Sequence, residues 1–263
     1  MYKILSDLLS DKKGGVVFSC FGVWHWIYIA AILGAIVAVV LVIRKKSDAV
    51  KRRAVDIPIN CAFGLYILDF FLMPFAYGGI DLEKLPFHAC TAMCVACFLS
   101  RRNRFFGRFR SQLALLGLVS NLIYVIYPAG IMWYAVHPLS YRTVQTLIFH
   151  GLMTAYGVFA LALDDIKLEW KGFGKDVAVV VAMALWALLG NTLYNGTSGE
   201  YSHKFNWFFV LQDPFYILPK NIAPFVMPFV VVATFSFAIF LVYCIYFALR
   251  QGFVRKHQFD ANK

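Results

Sequence analysis

Seven long apolar stretches separated by polar loops dominate the pattern of this 263-residue chain. Each approaches the roughly 20 apolar residues that a helix needs to cross a bilayer, and lipid offers no partner to the backbone of an open sheet. The pattern therefore predicts an all-α fold, a polytopic membrane bundle of seven transmembrane helices. The predicted spans are residues 23–43, 56–77, 86–100, 112–129, 142–164, 176–195 and 222–249.

Composition supports a membrane protein, because 61% of the residues are hydrophobic, 15% are charged, and the mean hydropathy is +0.68. A soluble domain cannot bury that much apolar surface. We expect one membrane domain over 23–249, with an external segment 1–22 before it and a cytoplasmic tail 250–263 after it. The first segment contains acidic residues and lacks the apolar core of a signal peptide.

The distribution of Lys and Arg predicts the orientation. Of the 25 basic residues, 18 lie in the loops 44–55, 101–110 and 165–175 and after residue 249, and seven lie on the alternate side. Cytoplasmic loops carry the basic excess, so the N-terminus is expected outside and the C-terminus in the cytoplasm. The net charge of +11 is then explained by loops that attract anionic lipid, and no nucleic-acid partner is expected.

Five polar side chains from five predicted spans share the depth of the outer leaflet. Polar groups inside a membrane are costly and need a partner or a function. Each could hydrogen-bond a neighbouring helix, but two histidines and a carboxylate at one depth together predict a site. These residues are Asp69, His88, Asn121, His150 and Asn191.

The external loop 196–221 is long and has seven aromatic residues, so we expect it to be ordered and folded onto the mouth of the bundle. It also carries Asn206 and Asp213, which would need partners there. Asn195 begins a glycosylation sequon, Asn-Gly-Thr, a triplet that is common by chance.

The cysteines suggest packing more than metal binding. Cys90, Cys94 and Cys97 have the spacing of the iron–sulfur motif of radical-SAM enzymes, but within an apolar helix they share one face. We therefore expect no metal and no cofactor. Cys90 stays open as a nucleophile because it lies two residues from His88. A retinal pigment is disfavoured, since the seventh span has no lysine.

A set of external-side motifs resembles a known family. The segments are Leu85–Cys90 (LPFHAC), Tyr127-Pro128, His150-Gly151, Asn191, Asn206-Trp207 and Asp213–Tyr216 (DPFY). Their order over residues 55–249 resembles the YwaF-like seven-helix membrane family of bacteria and its relative, the transmembrane protein 164 family. That resemblance implies a cysteine-dependent transfer of acyl chains between phospholipids. The implied cysteine would stand directly before His88, where this chain has Phe87.

The sequence thus predicts an enzyme that transfers or hydrolyses lipid acyl groups, with phospholipid as its partner, in a membrane that the resemblance suggests is the bacterial plasma membrane. His150 would be the general base, His88 would position the ester, and Asp69 would orient a histidine. The nucleophile is left open between Cys90, water and a hydroxyl such as that of Thr91 or Tyr127. Predicted substrate-binding residues are Asn121, Tyr127, Asn191, Asn206, Asp213 and Tyr216, with Asn191 and Asn206 as oxyanion donors. A small-solute transporter or channel, and a non-catalytic lipid-binding or scaffold protein, are the alternatives.

Overall fold

Ten α-helices and three short 3₁₀ helices make up the regular structure of the described residues, and no strand occurs among them. The structure is a computed structural model, and it describes residues 2–9, 15–132, 135–163, 165–195, 205–215 and 217–261. The all-α prediction is confirmed over this part of the chain. Two compact units, Met1–Ile166 and Lys167–Lys263, divide it.

The first unit contains eight helices and one 3₁₀ turn. They are α1 (Tyr2–Leu9), α2 (Val23–Ile43), α3 (Asp48–Tyr77), the 3₁₀ turn Leu82–Lys84, α4 (Ala89–Ser100), α5 (Arg104–Gly107), α6 (Arg110–Ile126), α7 (Ala129–Met132) and α8 (Tyr141–Ala162).

The second unit contains two long helices, α9 (Phe173–Asn195) and α10 (Ala223–Ala261). A 3₁₀ turn at Trp170–Gly172 precedes α9, and another at Trp207–Phe209 packs against both helices of this unit. The second turn belongs to the predicted external loop.

Six helices of the described residues are long and apolar enough to cross a membrane, namely α2, α3, α6, α8, α9 and α10. The region is therefore that of a multi-pass membrane protein. The third predicted span, 86–100, appears as α4, which is apolar but has only 12 residues. At a rise of about 1.5 Å per residue it measures about 18 Å, against a hydrocarbon core of about 30 Å.

Helix boundaries agree best with the prediction where hydropathy alone decides them. The first span matches α2 at both ends, whereas α3 begins at Asp48, eight residues before the predicted start at 56. Its first two turns are strongly basic, so hydropathy misses them although such residues form helix readily. Helix α3 ends at Gly78, whose φ of +76° is a left-handed conformation that suits glycine.

Helix α8 is the centre of the first unit, because α2, α3 and α6 all pack against it. Two glycines allow these close approaches. A Cβ on Gly157 would lie 2.5 Å from Cβ of Leu118 in α6, and one on Gly151 would lie 3.1 Å from Ile32 in α2. Small residues at such crossings let membrane helices approach closely, which holds α8 between its neighbours.

An ionic network closes the end of α4 opposite His88. Arg101 is 2.6 Å from both Asp56 and Asp165, and Arg110 lies 3.7 Å from Asp165. The network was missed because its three chain segments are far apart in sequence and look like ordinary loop charges.

Candidate functional site

Asp69 is the buried anion of the first unit, with 1% of its surface exposed. One carboxylate oxygen accepts a hydrogen bond of 2.6 Å from the Tyr141 hydroxyl, and the other lies 3.1 Å from Nζ of Lys84. The carboxylate thus joins α3, the 3₁₀ turn and the start of α8. Its contacts are a tyrosine and a lysine, so the structure does not support the predicted role of Asp69 in orienting a histidine.

His150 lies in the middle of α8 and is 4% exposed. Its Nδ1 is 2.7 Å from the carbonyl oxygen of Thr146, one turn earlier. A carbonyl can only accept, so Nδ1 carries the proton and donates it. The ring also stacks on Tyr124 of α6, with centroids 3.8 Å apart and planes 11° apart. These two contacts determine both the tautomer and the orientation of the imidazole.

The other nitrogen of His150 has a free lone pair. Nε2 is buried and finds no hydrogen-bond donor among the described residues. Buried polar atoms without a partner are uncommon and call for a functional or structural explanation. His25, also fully buried, shows the usual arrangement, because its Nδ1 accepts from the Phe21 N–H and its Nε2 donates to the Val125 carbonyl, each at 2.9 Å.

His88 and Cys90 lie at the start of α4, where both are half-buried. His88 is the residue before the helix and has extended backbone angles, and its side chain does not cap α4. His88 and Lys84 are both within electrostatic range of the His150 imidazole, and Lys84 is also within range of the Cys90 thiol. Electrostatic interactions thus link His150 to His88 and to Lys84, and they link Lys84 to Cys90 and to the carboxylate of Asp69.

Asn121 supplies a second buried acceptor. Its Nδ2 donates to the Gly117 carbonyl at 2.7 Å, and its Oδ1 has no donor among the described residues. Asn121 lies three residues before Tyr124, which stacks on His150, so both face the seam between α6 and α8. The grouping of Asn121 with His150 in one site stays a prediction.

Thr91 and Tyr127, the two hydroxyl candidates for the nucleophile, lie in different environments. Thr91 donates at 3.2 Å to the carbonyls of Leu85 and His88, so its hydroxyl stabilises the start of α4. Tyr127 is 41% exposed at the end of α6. Tyr216 lies outside the described residues.

Three predicted residues of the second unit are used to build the loop before α10. Asn191 forms two hydrogen bonds with the backbone of Trp207, and Asn206 accepts from the N–H groups of Leu211 and Gln212. Asp213 accepts from three backbone N–H groups within the next five residues. These contacts explain the residues by folding of the loop, in contrast to the predicted oxyanion and substrate roles.

The loop is ordered over its described part, 205–215. Phe205, Trp207 and Phe208 are at most 5% exposed, whereas Phe215 is 64% exposed. Burial of most of these aromatic side chains confirms that this part of the loop is packed.

Asn195, which begins the sequon, also belongs to this loop. It forms two hydrogen bonds with the backbone of Phe205, at 2.8 and 2.9 Å. A glycan on Nδ2 would compete with one of them, so the structure favours an anchoring role.

The profile of the TMEM164 family matches residues 20–249 of the chain. The chain belongs to the TMEM164 family. Comparison with curated proteins and with solved structures finds no match. The match covers both units and nearly all the helices described above.

Within this TMEM164-family chain the cysteine stripe has a clear structural role. Cys94 and Cys97 are fully buried, and the Cys97 thiol lies 3.3 Å from the Leu113 carbonyl. The packing interpretation is confirmed for these two. Among the described residues no group of three or more His, Cys, Asp or Glu side chains could hold a metal. Cys90 differs from Cys94 and Cys97 in that its thiol interacts electrostatically with Lys84.

Sequence reasoning missed two members of the site in this TMEM164-family chain. Lys84 was counted only as an external charge, and Tyr141 was taken as the residue before a span. Their relation to Asp69 spans 15 and 72 positions along the chain, so no local pattern reveals it. The available signal was the need of a buried Asp69 for a cation, because such a carboxylate is rarely left unpaired.

Proposed function

We propose that this TMEM164-family protein is an intramembrane enzyme that transfers or hydrolyses the acyl ester of a phospholipid. The observation that carries the proposal is the buried, unpaired Nε2 of His150. A neutral imidazole held through Nδ1 and stacked on Tyr124 presents a fixed lone pair, which is the requirement for a general base. His25 shows that a histidine of purely structural role in this unit has both nitrogens paired.

In the proposed reaction, Nε2 of His150 takes the proton of an attacking hydroxyl group, from water or a lysolipid, while the oxygen of that hydroxyl group attacks the ester carbonyl. The tetrahedral intermediate then expels the original alcohol, which receives that proton from His150. With water as the attacking group the products are a fatty acid and a lysolipid, and with a lysolipid they are a new diacyl lipid and the released alcohol. Cys90 offers a covalent alternative, in which the thiol gives its proton to His150, attacks the ester and forms a thioester as the original alcohol leaves with that proton. The second alcohol then attacks the thioester, and the thiol of Cys90 is released with the proton of that alcohol.

The finer topology forms part of the same proposal. Helix α4 and the preceding segment 79–88 together form one further crossing, the third along the chain, which brings the total to seven. The N-terminus of the protein then lies outside and its C-terminus in the cytoplasm. His88 and His150 then lie on the outer side, where a phospholipid arrives laterally from the bilayer. The bacterial plasma membrane is the membrane that we propose.

The decisive experiment uses purified protein in nanodiscs that contain a phospholipid with an isotope-labelled acyl chain and an unlabelled lysolipid. Mass spectrometry follows the new diacyl lipid that forms when the labelled chain moves to the lysolipid, and the labelled fatty acid that hydrolysis releases. His150→Gln should reduce turnover by at least about 100-fold, the usual contribution of a general base. His137→Ala is the matched control, since its Nδ1 already accepts from the Leu139 N–H near the surface.

Cys90→Ser separates the two routes. A large loss, together with labelling of the wild-type thiol by an acyl probe, assigns the nucleophile to Cys90, and a small loss favours direct attack by the hydroxyl. If His150→Gln, His88→Ala and Cys90→Ser all retain wild-type turnover, or if the wild type has none, the enzyme proposal is wrong. A lipid-binding scaffold or a transporter would then replace it.

A further inference from the structure

Lys84 presents a cation in an unusual setting, at the end of a short 3₁₀ turn. Asp81 caps this turn by accepting from the Glu83 N–H at 3.0 Å, and the Lys84 carbonyl accepts from the Tyr66 hydroxyl at 2.9 Å. The backbone at Lys84 is therefore fixed from both sides. Its side chain is 20% exposed and points to Asp69. Glu83, the acidic neighbour, is exposed.

The ammonium group has more donors than Asp69 can use. Lys84 carries three N–H donors, and Asp69 Oδ2 lies within ion-pair distance at 3.1 Å. The other Asp69 oxygen accepts from Tyr141. Among the described residues, Nζ also lies 5.7 Å from the centroid of the Tyr77 ring, whose π face attracts a cation but has no lone pair for an N–H donor. Arg142 stacks on the same ring at 4.2 Å and adds positive charge.

The position of this cation matches the proposed chemistry. Lys84 is within electrostatic range of both His150 and Cys90, the two candidate reacting groups. A mostly buried ammonium is poorly solvated, so it gains strongly from a second oxygen acceptor. An acyl ester reaction beside it needs a positive group where negative charge develops, and the asparagines predicted for that role are bound to the loop backbone in the second unit.

We propose that Lys84 binds an anionic oxygen of the lipid beside His150. The oxygen can come from the phosphodiester of the headgroup or from the oxyanion that forms at the ester carbonyl. The location of the reaction rests on the proposed function, whereas binding of the phosphodiester does not. If Lys84 serves only to neutralise Asp69, it has no effect on lipid selection or turnover.

The test removes the cation without leaving a buried charge unpaired. Lys84→Met alone would strand the carboxylate of Asp69, so the informative variant is the double substitution Lys84→Met with Asp69→Asn, in which the Asn oxygen still accepts from Tyr141. Lys84→Arg tests rescue of the charge. Lys220→Met, at an exposed lysine of the second unit, is the matched control.

Binding is measured first with lipids that cannot react. Native mass spectrometry compares retention of a dialkyl-ether phosphocholine lipid with that of the corresponding dialkylglycerol, which lacks the phosphate. A zwitterionic headgroup limits attraction to the basic loops. If the phosphodiester is the ligand, the wild type should prefer the phospholipid, and the double variant should lose about tenfold of that preference, while Lys84→Arg and Lys220→Met keep it. His150→Gln should also keep it, which separates this result from failure of the proposed reaction.

Turnover then identifies the source of the oxygen. A phosphodiester ligand predicts a raised KM for phospholipid esters in the double variant, with little change for a neutral diacylglycerol ester. An oxyanion ligand predicts unchanged lipid preference and an equal fall in kcat, about tenfold, on both esters. If the double variant matches Lys220→Met in both preference and turnover, the inference is overturned.

Discussion

Replacement of Asn191 by leucine tests how the loop before α10 is attached to α9. Asn191 and Asn195 lie one helical turn apart, and each pairs with both the N–H and the C=O of one loop residue, Trp207 and Phe205 respectively. The two loop residues are themselves two positions apart in the chain. Two asparagines spaced by about 6 Å along the helix thus hold the backbone of two nearby loop residues.

The loss of stability expected for Asn191→Leu follows from the backbone groups that it leaves without a partner. Leucine has nearly the same size but no hydrogen-bonding atoms, so the N–H and C=O of Trp207, a residue 1% exposed, lose their partners. An unsatisfied buried polar group costs about 1–3 kcal/mol, which gives about 2–6 kcal/mol for the pair. Phe208 and Phe209 follow in left-handed backbone conformations, with φ of 57° and 55°, a strain that the contacts of the surrounding loop must offset.

Chymotrypsin cleavage of the folded protein in nanodiscs is a suitable assay, because the loop is rich in aromatic residues that burial protects. A destabilisation of 2 kcal/mol or more should accelerate cleavage within the loop by at least about 30-fold. Thr192→Val is the matched control, since its exposed hydroxyl donates only to the Leu188 carbonyl of its own helix. Cleavage of Asn191→Leu at the rate of Thr192→Val would refute the anchoring by asparagine.

Three further outcomes are expected. Gly157→Ala should destabilise the first unit by about 1–3 kcal/mol in denaturant unfolding, because its methyl group would meet Leu118 at 2.5 Å, and Gly34→Ala, which meets nothing within 4 Å, should not. His25→Leu should lower the thermal midpoint, since the buried Val125 carbonyl and the part-buried Phe21 N–H lose their partner. Burial raises the pKa of Asp213, but three backbone N–H donors outweigh burial and bring the pKa below its usual value of 3.8. The loop should therefore loosen as the pH falls through that lowered pKa, because protonation weakens these hydrogen bonds. Asp213→Asn should remove this acid sensitivity.

For each of these three predictions, one experimental outcome would contradict it. Equal unfolding of the two glycine variants would mean that the α6–α8 crossing relaxes freely. An unchanged midpoint for His25→Leu would mean that water replaces the imidazole. Loop cleavage by an acid-stable protease that rises equally in wild type and Asp213→Asn would place the acid sensitivity elsewhere.

Much of the candidate site could be predicted from the cost of polar groups in lipid. That cost singled out Asp69, Asn121 and His150, all of which are buried in the first unit. It could not say what each group contacts, because hydropathy has no information on which helices are neighbours. Asp69 was expected beside a histidine and lies instead between Lys84 and Tyr141.

The polar residues of the second unit show the same limit more strongly. Asn191, Asn206 and Asp213 have the chemistry of substrate-binding groups, and nothing in the sequence distinguishes that role from capping a loop. The distinction depends on whether backbone groups of a distant segment come within hydrogen-bond distance, which they do at Trp207. Long-range hydrogen bonds of this kind leave no periodic pattern.

The sequence by itself determined that this is a helical membrane protein, where its long apolar segments lie, and which buried polar residues need an explanation. These properties depend on local composition, because each helix must satisfy its own backbone and match the bilayer one segment at a time. Only the tertiary structure decided that α4 is a short helix, that His150 keeps an unpaired nitrogen, and that Lys84 faces Asp69. Those features depend on packing and hydrogen bonds between segments far apart in the chain, and no single segment contains them.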